Sequence, residues 1–494
     1  MKIILYLCSR NSNNYTMTSK LIAREKECQQ LQWCIESDRS ELVIVNGRRR
    51  IGKTFLIEQF FNKTYAFKYV GGHGLSTRNQ LANFAKALRK YSNTQYKPFE
   101  DWFEAFDALE EYLESITITE GKKVIFIDEM PWIDTQRSDF VSALENFWNG
   151  WAMSQENIML IATGSATSWM VDKIVQNQGG LHARITASIF LSPFSLKETE
   201  EYLKSRRINW DRYQILQCYM LLGGVPFYLS LLNRQESFAQ NIDRLCFDSK
   251  GMLRMEFDEL YYSIFPNADL YTSVVKLLSE HKSGMTRDEI SKAINLEGGK
   301  LTRVLKNLEQ CDFIAKWSQY GNKKKEAVYR LVDFYTLFYY RFIDTDNDRD
   351  SGLWTHNLKT PAMQSWMGLT FELICLQHHK QIKKALGISG MSTSISTWRT
   401  DGDKENGIPG GQIDMVIERA DRMINLCEIK FSTVQFRITE SYADKIRQRM
   451  ALFLDTTNTK MTPVNTFITT YGVLNGKYSS VVDSEVTMDD LFNS

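Results

Sequence analysis

Gly47-x4-Gly52-Lys53-Thr54 carries the first chemistry in this chain. Glycines so spaced let the backbone fold into a nest of N–H groups around phosphate oxygens. A helix opening near Lys53 aims its positive dipole end at the same anion. Gly47, Arg48, Arg49, Arg50, Ile51, Gly52, Lys53, Thr54 and Phe55 thus form a candidate nucleotide loop. Lys53 is expected to reach the β- and γ-phosphates, and the Thr54 hydroxyl to sit on Mg2+. Asp128-Glu129 follows an apolar run; Asp128 can hold Mg2+ through a water, and Glu129 can polarise an attacking water. Ser165, with Thr163 as second candidate, can touch the γ-phosphate or that water. Arg184 can stabilise transition-state charge, within its own subunit or across a boundary, or else be a surface arginine. His182 reads as a plain loop residue.

These groups need strands to aim them. Leu42–Val45 precedes the glycine-rich loop, Lys123–Ile127 precedes Asp128, and Ile158–Ala162 precedes Thr163-Gly164-Ser165. Runs of consecutive apolar residues suit parallel strands buried on both faces, with ligands bound beyond their carboxyl ends. Residues 21–36 read as an amphipathic helix ahead of the first strand. From 195 to 260 the pattern is helical: Leu196–Lys204, Tyr213–Leu222, Pro226–Leu232 and Ile242–Leu260.

The order of these motifs, with Met130-Pro131-Trp132, Leu191-Ser192-Pro193-Phe194 and Gly223-Gly224-Val225-Pro226-Phe227, resembles the prokaryotic archaeal ATPase family of AAA+/STAND-type P-loop ATPases. The resemblance covers nearly the whole chain after about residue 20. It implies ATP and Mg2+ as ligands and a five-stranded αβα core with a helical lid. It also implies that Gly224 and Pro226 contact the nucleotide. Ala183 departs from the glycine usual in relatives, which stiffens the loop before Arg184. The family often carries a carboxy-terminal domain related to restriction nucleases, of the DUF234 type.

Residues 263–335 read as a winged helix-turn-helix, with helices near 268–280, 287–293 and 299–310 and a hairpin at 313–317 and 327–331. Thr286 and Glu289 form a capping box. From Lys282 to Arg330 there are eleven basic against six acidic residues. Lys300, Arg303 and Lys306 on the third helix and Lys323, Lys324 and Lys325 on the wing are candidate contacts to double-stranded DNA. A domain-packing role for this module is equally open. The aromatic run Phe334–Phe342 reads as core packing between the winged helix and the last domain.

In the last segment, Asp414-x13-Glu428-x-Lys430 falls on two strands that form a hairpin, with Glu428 and Lys430 on one face. It resembles the PD-(D/E)xK nuclease core. By that resemblance Asp414 and Glu428 are metal ligands, Lys430 is the catalytic lysine, and Glu372 is the carboxylate supplied by the first helix. Two carboxylates could hold Mg2+ against a scissile phosphate. An inactive binding module remains the alternative. Trp398 reads as part of a preceding core strand, and residues 400–409 as a loop beside the site. His378-His379 reads as a solvated helix end.

The implied class is α/β: a P-loop αβα sandwich with a helical lid, a winged helix and a restriction-endonuclease-like domain. The divisions are 1–19 (a disordered or mis-assigned start), 20–194, 195–262, 263–335 and 350–494. At 494 residues, 43% apolar and 24% charged, the chain is ordinary for a multidomain globular protein. Sixty basic against 59 acidic residues make any nucleic-acid surface local. Eight cysteines without a CxxC pair read as reduced thiols of a cytoplasmic protein. The short apolar start at residues 3–8 is too brief for a signal peptide, and no run is long enough to span a membrane. A homo-oligomer or a protein partner remains open. Two functions follow: a DNA-directed ATPase whose last domain binds or cuts DNA, or a nucleotide-gated scaffold that binds protein partners without cleavage.

Overall fold

A computed structural model describes residues 21–118, 121–165, 169–175, 180–265, 267–321, 327–345, 354–355, 360–402 and 410–493. The readings for residues 1–19, for Lys323, Lys324 and Lys325, and for most of the 400–409 loop lie outside them.

The first sheet, among the described residues, has the order β2-β3-β4-β1-β5, with every pair parallel. Its strands are β1 (Glu41–Asn46), β2 (Phe67–Val70), β3 (Lys123–Asp128), β4 (Ile158–Gly164) and β5 (Ala187–Phe190). β1 and β4 are buried along their whole length, which is why they read as unbroken apolar runs. Helices α1 (Glu25–Glu36) and α2 (Lys53–Phe60) cover one face. Helices α3 (Thr77–Ser92), α4 (Trp102–Ser115) and α5 (Phe140–Gly150) cover the other, around an aromatic core that includes Phe84, Trp102, Phe106 and Phe140. This is the αβα sandwich the resemblance implied. The first helix begins four residues later than the apolar spacing indicates. Ala23 (φ 60°) and Arg24 (φ 77°) are left-handed and turn Leu21 and Ile22 away from its axis.

The lid comprises α6 (Leu196–Ser205), α7 (Arg212–Leu222), α8 (Pro226–Ser230), α9 (Phe238–Ile242) and α10 (Met252–Tyr262). Ser195 and Glu198 cap α6 reciprocally. The continuous helix expected over Ile242–Leu260 is broken. At Gly251 a Cβ would lie 2.5 Å from the Leu245 carbonyl, so the chain turns there before α10.

The winged helix consists of α11 (Ala268–Glu280), β6 (Met285–Thr286), α12 (Arg287–Ile294), α13 (Gly298–Gln310), β7 (Ile314–Trp317) and β8 (Val328–Leu331). Its three strands pair in the order β6-β8-β7, and Thr286 with Glu289 makes the capping box read from the sequence. Next comes α14 (Phe334–Phe338). The aromatic run here packs chiefly on the lid: Phe334 meets Tyr219, Tyr335 meets Tyr228, and Tyr339 stacks on Phe257. Phe338 and Phe342 also reach Trp366 of the last domain.

The carboxy-terminal unit runs α15 (Pro361–Gln377), α16 (His379–Ala385), β9 (Thr393–Thr400), β10 (Gly411–Arg419), β11 (Met423–Lys430), α17 (Glu440–Thr457), β12 (Thr462–Thr469) and β13 (Ser484–Thr487). Its sheet order is β13-β12-β11-β10-β9, antiparallel from β9 to β11 and parallel from β11 to β13. Trp398 is buried on β9. His378 overturns its reading as a solvated end. It is buried between α15 and the lid, where Nδ1 donates to the Ile374 carbonyl and Nε2 accepts the Leu196 N–H (3.2 Å). Burial holds its ring neutral and pushes its pKa down to about 4. Among the described residues no helix is long and apolar enough to cross a membrane.

Candidate functional site

β1 delivers the chain into the phosphate loop at Asn46. Gly47 follows at φ 141°, and a Cβ there would stand 2.4 Å from the Leu191 carbonyl, so only glycine fits. Gly52 (φ 89°) turns the loop into α2, whose N-terminus points at the space the loop encloses. Arg50 also takes a left-handed φ of 74°. That conformation is held from the lid. Arg50 donates twice to Glu256 (2.9 Å each), lies over the Phe227 ring, and accepts the Phe227 N–H at its carbonyl (3.2 Å).

Lys53 is buried, and burial lowers its pKa against the pull of Glu129 and Asp128. Its Nζ donates to the carbonyls of Gly47 (2.8 Å) and Arg48 (3.0 Å) and to Ser165 Oγ (3.1 Å). Thr54 Oγ1 stands 3.0 Å from both oxygens of Asp128, which also accepts from the Thr163 hydroxyl. Burial raises the Asp128 pKa, and the two hydroxyls oppose that shift. Glu129 is left-handed (φ 51°), and its carboxylate accepts from both the N–H (3.0 Å) and the hydroxyl of Ser165. Lys53, Ser165, Glu129, Asp128, Thr163 and Thr54 thus form one continuous network at the ends of β1, β3 and β4. The Thr54 hydroxyl beside an Asp128 carboxylate is the hard-oxygen pair that Mg2+ requires, so these residues fit that ion.

The network opens into a cavity of about 700 Å³. Arg49, Arg50, Ile51, Gly52, Lys53, Thr54, Phe55, Glu129 and Ser165 line its phosphate end. Leu21, Ile22, Arg24, Phe194, Tyr202, Pro226 and Phe227 line the other end, and the lid closes over it. Sequence reasoning missed Leu21, Ile22, Arg24 and Tyr202. Arg24 is buried, donates to the Ser192 carbonyl (2.7 Å) and lies over Phe194.

Two expected nucleotide contacts, Arg48 and Gly224, take other places. The Arg48 side chain leaves the pocket altogether. It is buried, lies over Phe313 and pairs with Asp333, which caps α14. Asp333 outweighs burial and raises the Arg48 pKa. Asp312, beside this pair and bonded by the Ser192 hydroxyl, has its pKa pushed up by burial to about 6. Gly224 does not line the cavity. It accepts the Phe194 N–H (2.8 Å), and a Cβ there would clash with the Phe194 carbonyl at 2.2 Å. Pro226 lines the pocket as expected. Arg184 sits exposed on a 3-10 turn, outside the cavity of its own chain.

Of the candidate DNA contacts, Lys300 and Arg303 are exposed on α13. Lys306 instead pairs with Asp172 of the ATPase core at 2.9 Å. The wing is engaged as well. Ser318–Tyr320 runs beside β9, with backbone bonds from Tyr320 N to the Thr397 carbonyl (2.7 Å) and from Thr397 N to the Ser318 carbonyl (3.1 Å).

In the last unit the polar positions lie near one another but do not form a cage. Burial first, then Asp414, pushes the Glu372 pKa up to about 8. Burial and Glu428 raise that of Asp414, which accepts the Ile429 N–H (3.3 Å). Glu428 is enclosed by Lys430 (2.8 Å), the Arg449 guanidinium and the Tyr442 hydroxyl. Burial works to raise its pKa, but Arg449 and Lys430 pull it below the ordinary value. Among the described residues no three His, Cys, Asp or Glu side chains stand close enough to hold a metal ion. The expected ligand set Glu372, Asp414 and Glu428 therefore does not fit a metal as placed, because protein cations already compensate Glu428.

The parallel five-stranded sheet, the phosphate loop and the acid pair at the end of β3 define a P-loop ATPase domain. Residues 21–232 match the family described as an ATPase domain predominantly from Archaea. An uncharacterised protein of Methanocaldococcus jannaschii is 23% identical over 439 residues, which is 88% of this chain and 93% of that one. A second from the same organism is 23% identical over 316 residues, covering 59% of this chain and 60% of the relative. Among solved structures, the Walker-type ATPase of Pyrococcus abyssi superposes with a TM-score of 0.48 at 16% identity, covering 67% of this chain and 99% of that one. The Aeropyrum pernix ORC2 protein, solved as ADPNP–ADP complexes, gives 0.39 at 14%, covering 74% and 98%.

Proposed function

We propose that this protein binds ATP with Mg2+ and hydrolyses it to ADP and phosphate, and that turnover moves the lid and the winged helix. The continuous network from Lys53 through Ser165 and Glu129 to Asp128 and Thr54 carries the reading. Bound Mg2+, held by Thr54 and Asp128, would neutralise charge on the β- and γ-phosphates. Lys53 compensates the same phosphates once it turns from the loop carbonyls. Glu129, locked by two bonds from Ser165, takes the proton of the attacking water as its oxygen bonds to the γ-phosphorus and the bridging bond breaks. Ser165 couples Lys53 to Glu129, so the cation and the base share one position. Arg184 is left to act from one chain on the site of a second copy.

Two links tie the loop to the rest of the chain. Arg50 joins the lid through Glu256 and Phe227, and Arg48 joins α14 through Asp333. A shift of loop residues on phosphate release therefore reaches both. This favours a nucleotide-gated scaffold as the working form. The DNA-directed reading draws on the exposed Lys300 and Arg303 and on the helix, strand and helix order of the last unit, which resembles the PD-(D/E)xK core. Among the described residues the free cysteines, buried apart from the half-buried Cys28, suit the cytoplasm.

Phosphate release in magnesium buffer tests hydrolysis: Lys53→Ala is expected to lose about 10²- to 10³-fold in rate. Full turnover in that variant contradicts the reading. Duplex binding that falls steeply with salt and is lost on replacing Lys300 and Arg303 supports the DNA reading. Binding unchanged by the replacement removes it.

A further inference from the structure

A second cleft, of about 430 Å³, opens between the ATPase core and α10 of the lid. Arg49 lines it as well as the nucleotide cavity, and its Nη1 donates to the Glu259 carbonyl (3.4 Å). The core side is a built wall. Gln80, fully buried on α3, ties the turn after β2 to the turn after β3. Its Nε2 donates to the carbonyls of Gly72 (2.7 Å) and Trp132 (2.8 Å), and its Oε1 accepts the Gly72 N–H (3.2 Å). A Cβ on Gly71 would come within 2.6 Å of the Glu129 carbonyl, so the two turns are in close contact. They present His73 and Trp132 to the cleft, with the rings at 72° and their centroids 5.1 Å apart.

The opposite wall is α10, with Asp258, Glu259 and Tyr262. Asp258 and Glu259 are exposed, and among the described residues neither makes an ion pair. Both lie near the carboxyl end of α10, whose last turn holds no basic residue. They add negative charge to the negative pole of the helix, a placement that works against the helix until a cation arrives. The same stripe runs on beyond the cleft. Met252, Met255, Glu259 and Tyr262 follow one another at helical spacing over about 15 Å. Met252, Met255 and Tyr262 are each more than half exposed. Unbranched methionine side chains adapt to apolar partners of varied shape.

We propose that this cleft and stripe are the docking site for a basic, amphipathic segment of a partner protein. An arginine or lysine of the partner enters the cleft, against the Trp132 ring and beside Asp258 and Glu259. Apolar residues of the same segment cover Met252 and Met255. Charge selects the occupant, because an acidic segment would meet two carboxylates and the negative end of a helix. The inference rests on the scaffold reading, whose partner class it names. Arg49 borders both cavities and the cleft spans core and lid, so nucleotide in one alters docking in the other.

The probe is a fluorescein-labelled amphipathic peptide with leucines on one face and arginines on the other, beside a counterpart with glutamate for arginine. Each is titrated with the full chain and followed by anisotropy, first without nucleotide. The arginine peptide is expected to bind at least about tenfold more tightly than the glutamate peptide. Asp258→Asn with Glu259→Gln is expected to remove that preference, and Asp258→Lys with Glu259→Lys to reverse it. All of these changes fall on exposed positions. Met252→Ser with Met255→Ser is expected to weaken the arginine peptide by about tenfold as well. Equal binding of the two peptides, or a preference that the charge variants leave unchanged, overturns the docking site. Sedimentation of the chain alone covers the other occupant: self-association lost in the charge-reversed chain would put a second copy in the cleft and overturn a separate partner. Addition of ADP with Mg2+ is expected to change the arginine-peptide affinity by at least about threefold. An unchanged affinity contradicts the scaffold reading while the docking site stands.

Discussion

The phosphate-loop site and the carboxy-terminal cluster use the same raw material, carboxylates at or beside the ends of buried strands, and treat it in opposite ways. Asp128 and Glu129 are held by hydroxyls and an amide, from Thr54, Thr163 and Ser165. Those neutral donors orient the acids without cancelling their charge, and Glu129 faces an open cavity. Glu428 is held by Lys430 and Arg449, which cancel its charge. A site poised for a cation and a nucleotide holds its acids through hydroxyls and an amide rather than through an ion pair. The carboxy-terminal cluster instead has its central acid compensated by the protein's own cations. The arginines of the phosphate loop show the same division: Arg49 lines the nucleotide cavity, and Arg48 is spent on Asp333.

Breaking the Arg48–Asp333 pair should give the largest effect. Asp333→Ala leaves the buried Arg48 guanidinium unpaired and is expected to cost about 3–5 kcal/mol of stability in denaturant titration. A change below 1 kcal/mol would mean that the pair holds nothing together.

Second comes pH. Burial keeps His378 neutral in the fold, with its pKa down at about 4 against an ordinary value of 6.5, so between those limits the unfolded chain binds a proton that the folded chain refuses. Its contribution is fully present above pH 6.5 and is lost as pH falls from there to about 4, on the order of 3 kcal/mol in all. Thermal melts between those limits should show the fall, and His378→Gln should flatten it. An unchanged slope in that variant would place the titration elsewhere.

How much of this was legible in the sequence follows from chain distance. The phosphate loop was readable because its parts are contiguous, and Asp128-Glu129 because β3 is a pure apolar run. β2 and β5 escaped because Phe67–Val70 and Ala187–Phe190 are short edge strands with mixed burial. Arg24 and Leu21 escaped because two left-handed residues, invisible in the apolar spacing, bend the chain into the pocket. The pairing of Arg48 with Asp333 joins positions far apart in the chain, and no local pattern announces it. His378 read as solvated because its partner, the Leu196 N–H, belongs to another helix.

Smaller effects sharpen the contrast. Ser165→Ala removes the hydroxyl that links Lys53 to Glu129 but leaves the backbone N–H in place. Steady-state assays should show kcat lower by about tenfold, the worth of one charge-assisted bond. A loss as large as that in Lys53→Ala would make Ser165 a reacting group. Smallest is Lys306→Ala: its pair with Asp172 is nearly half exposed on both sides, so stability should change by less than about 1 kcal/mol.

The most direct test of the central claim is single-turnover phosphate release from bound ATP in magnesium buffer, for the unaltered chain and for Glu129→Gln. The account predicts that the unaltered chain releases phosphate, while Glu129→Gln retains ATP with near-normal affinity and releases phosphate at least about 10²-fold more slowly. Equal release by both, or no ATP retained by either, would contradict it.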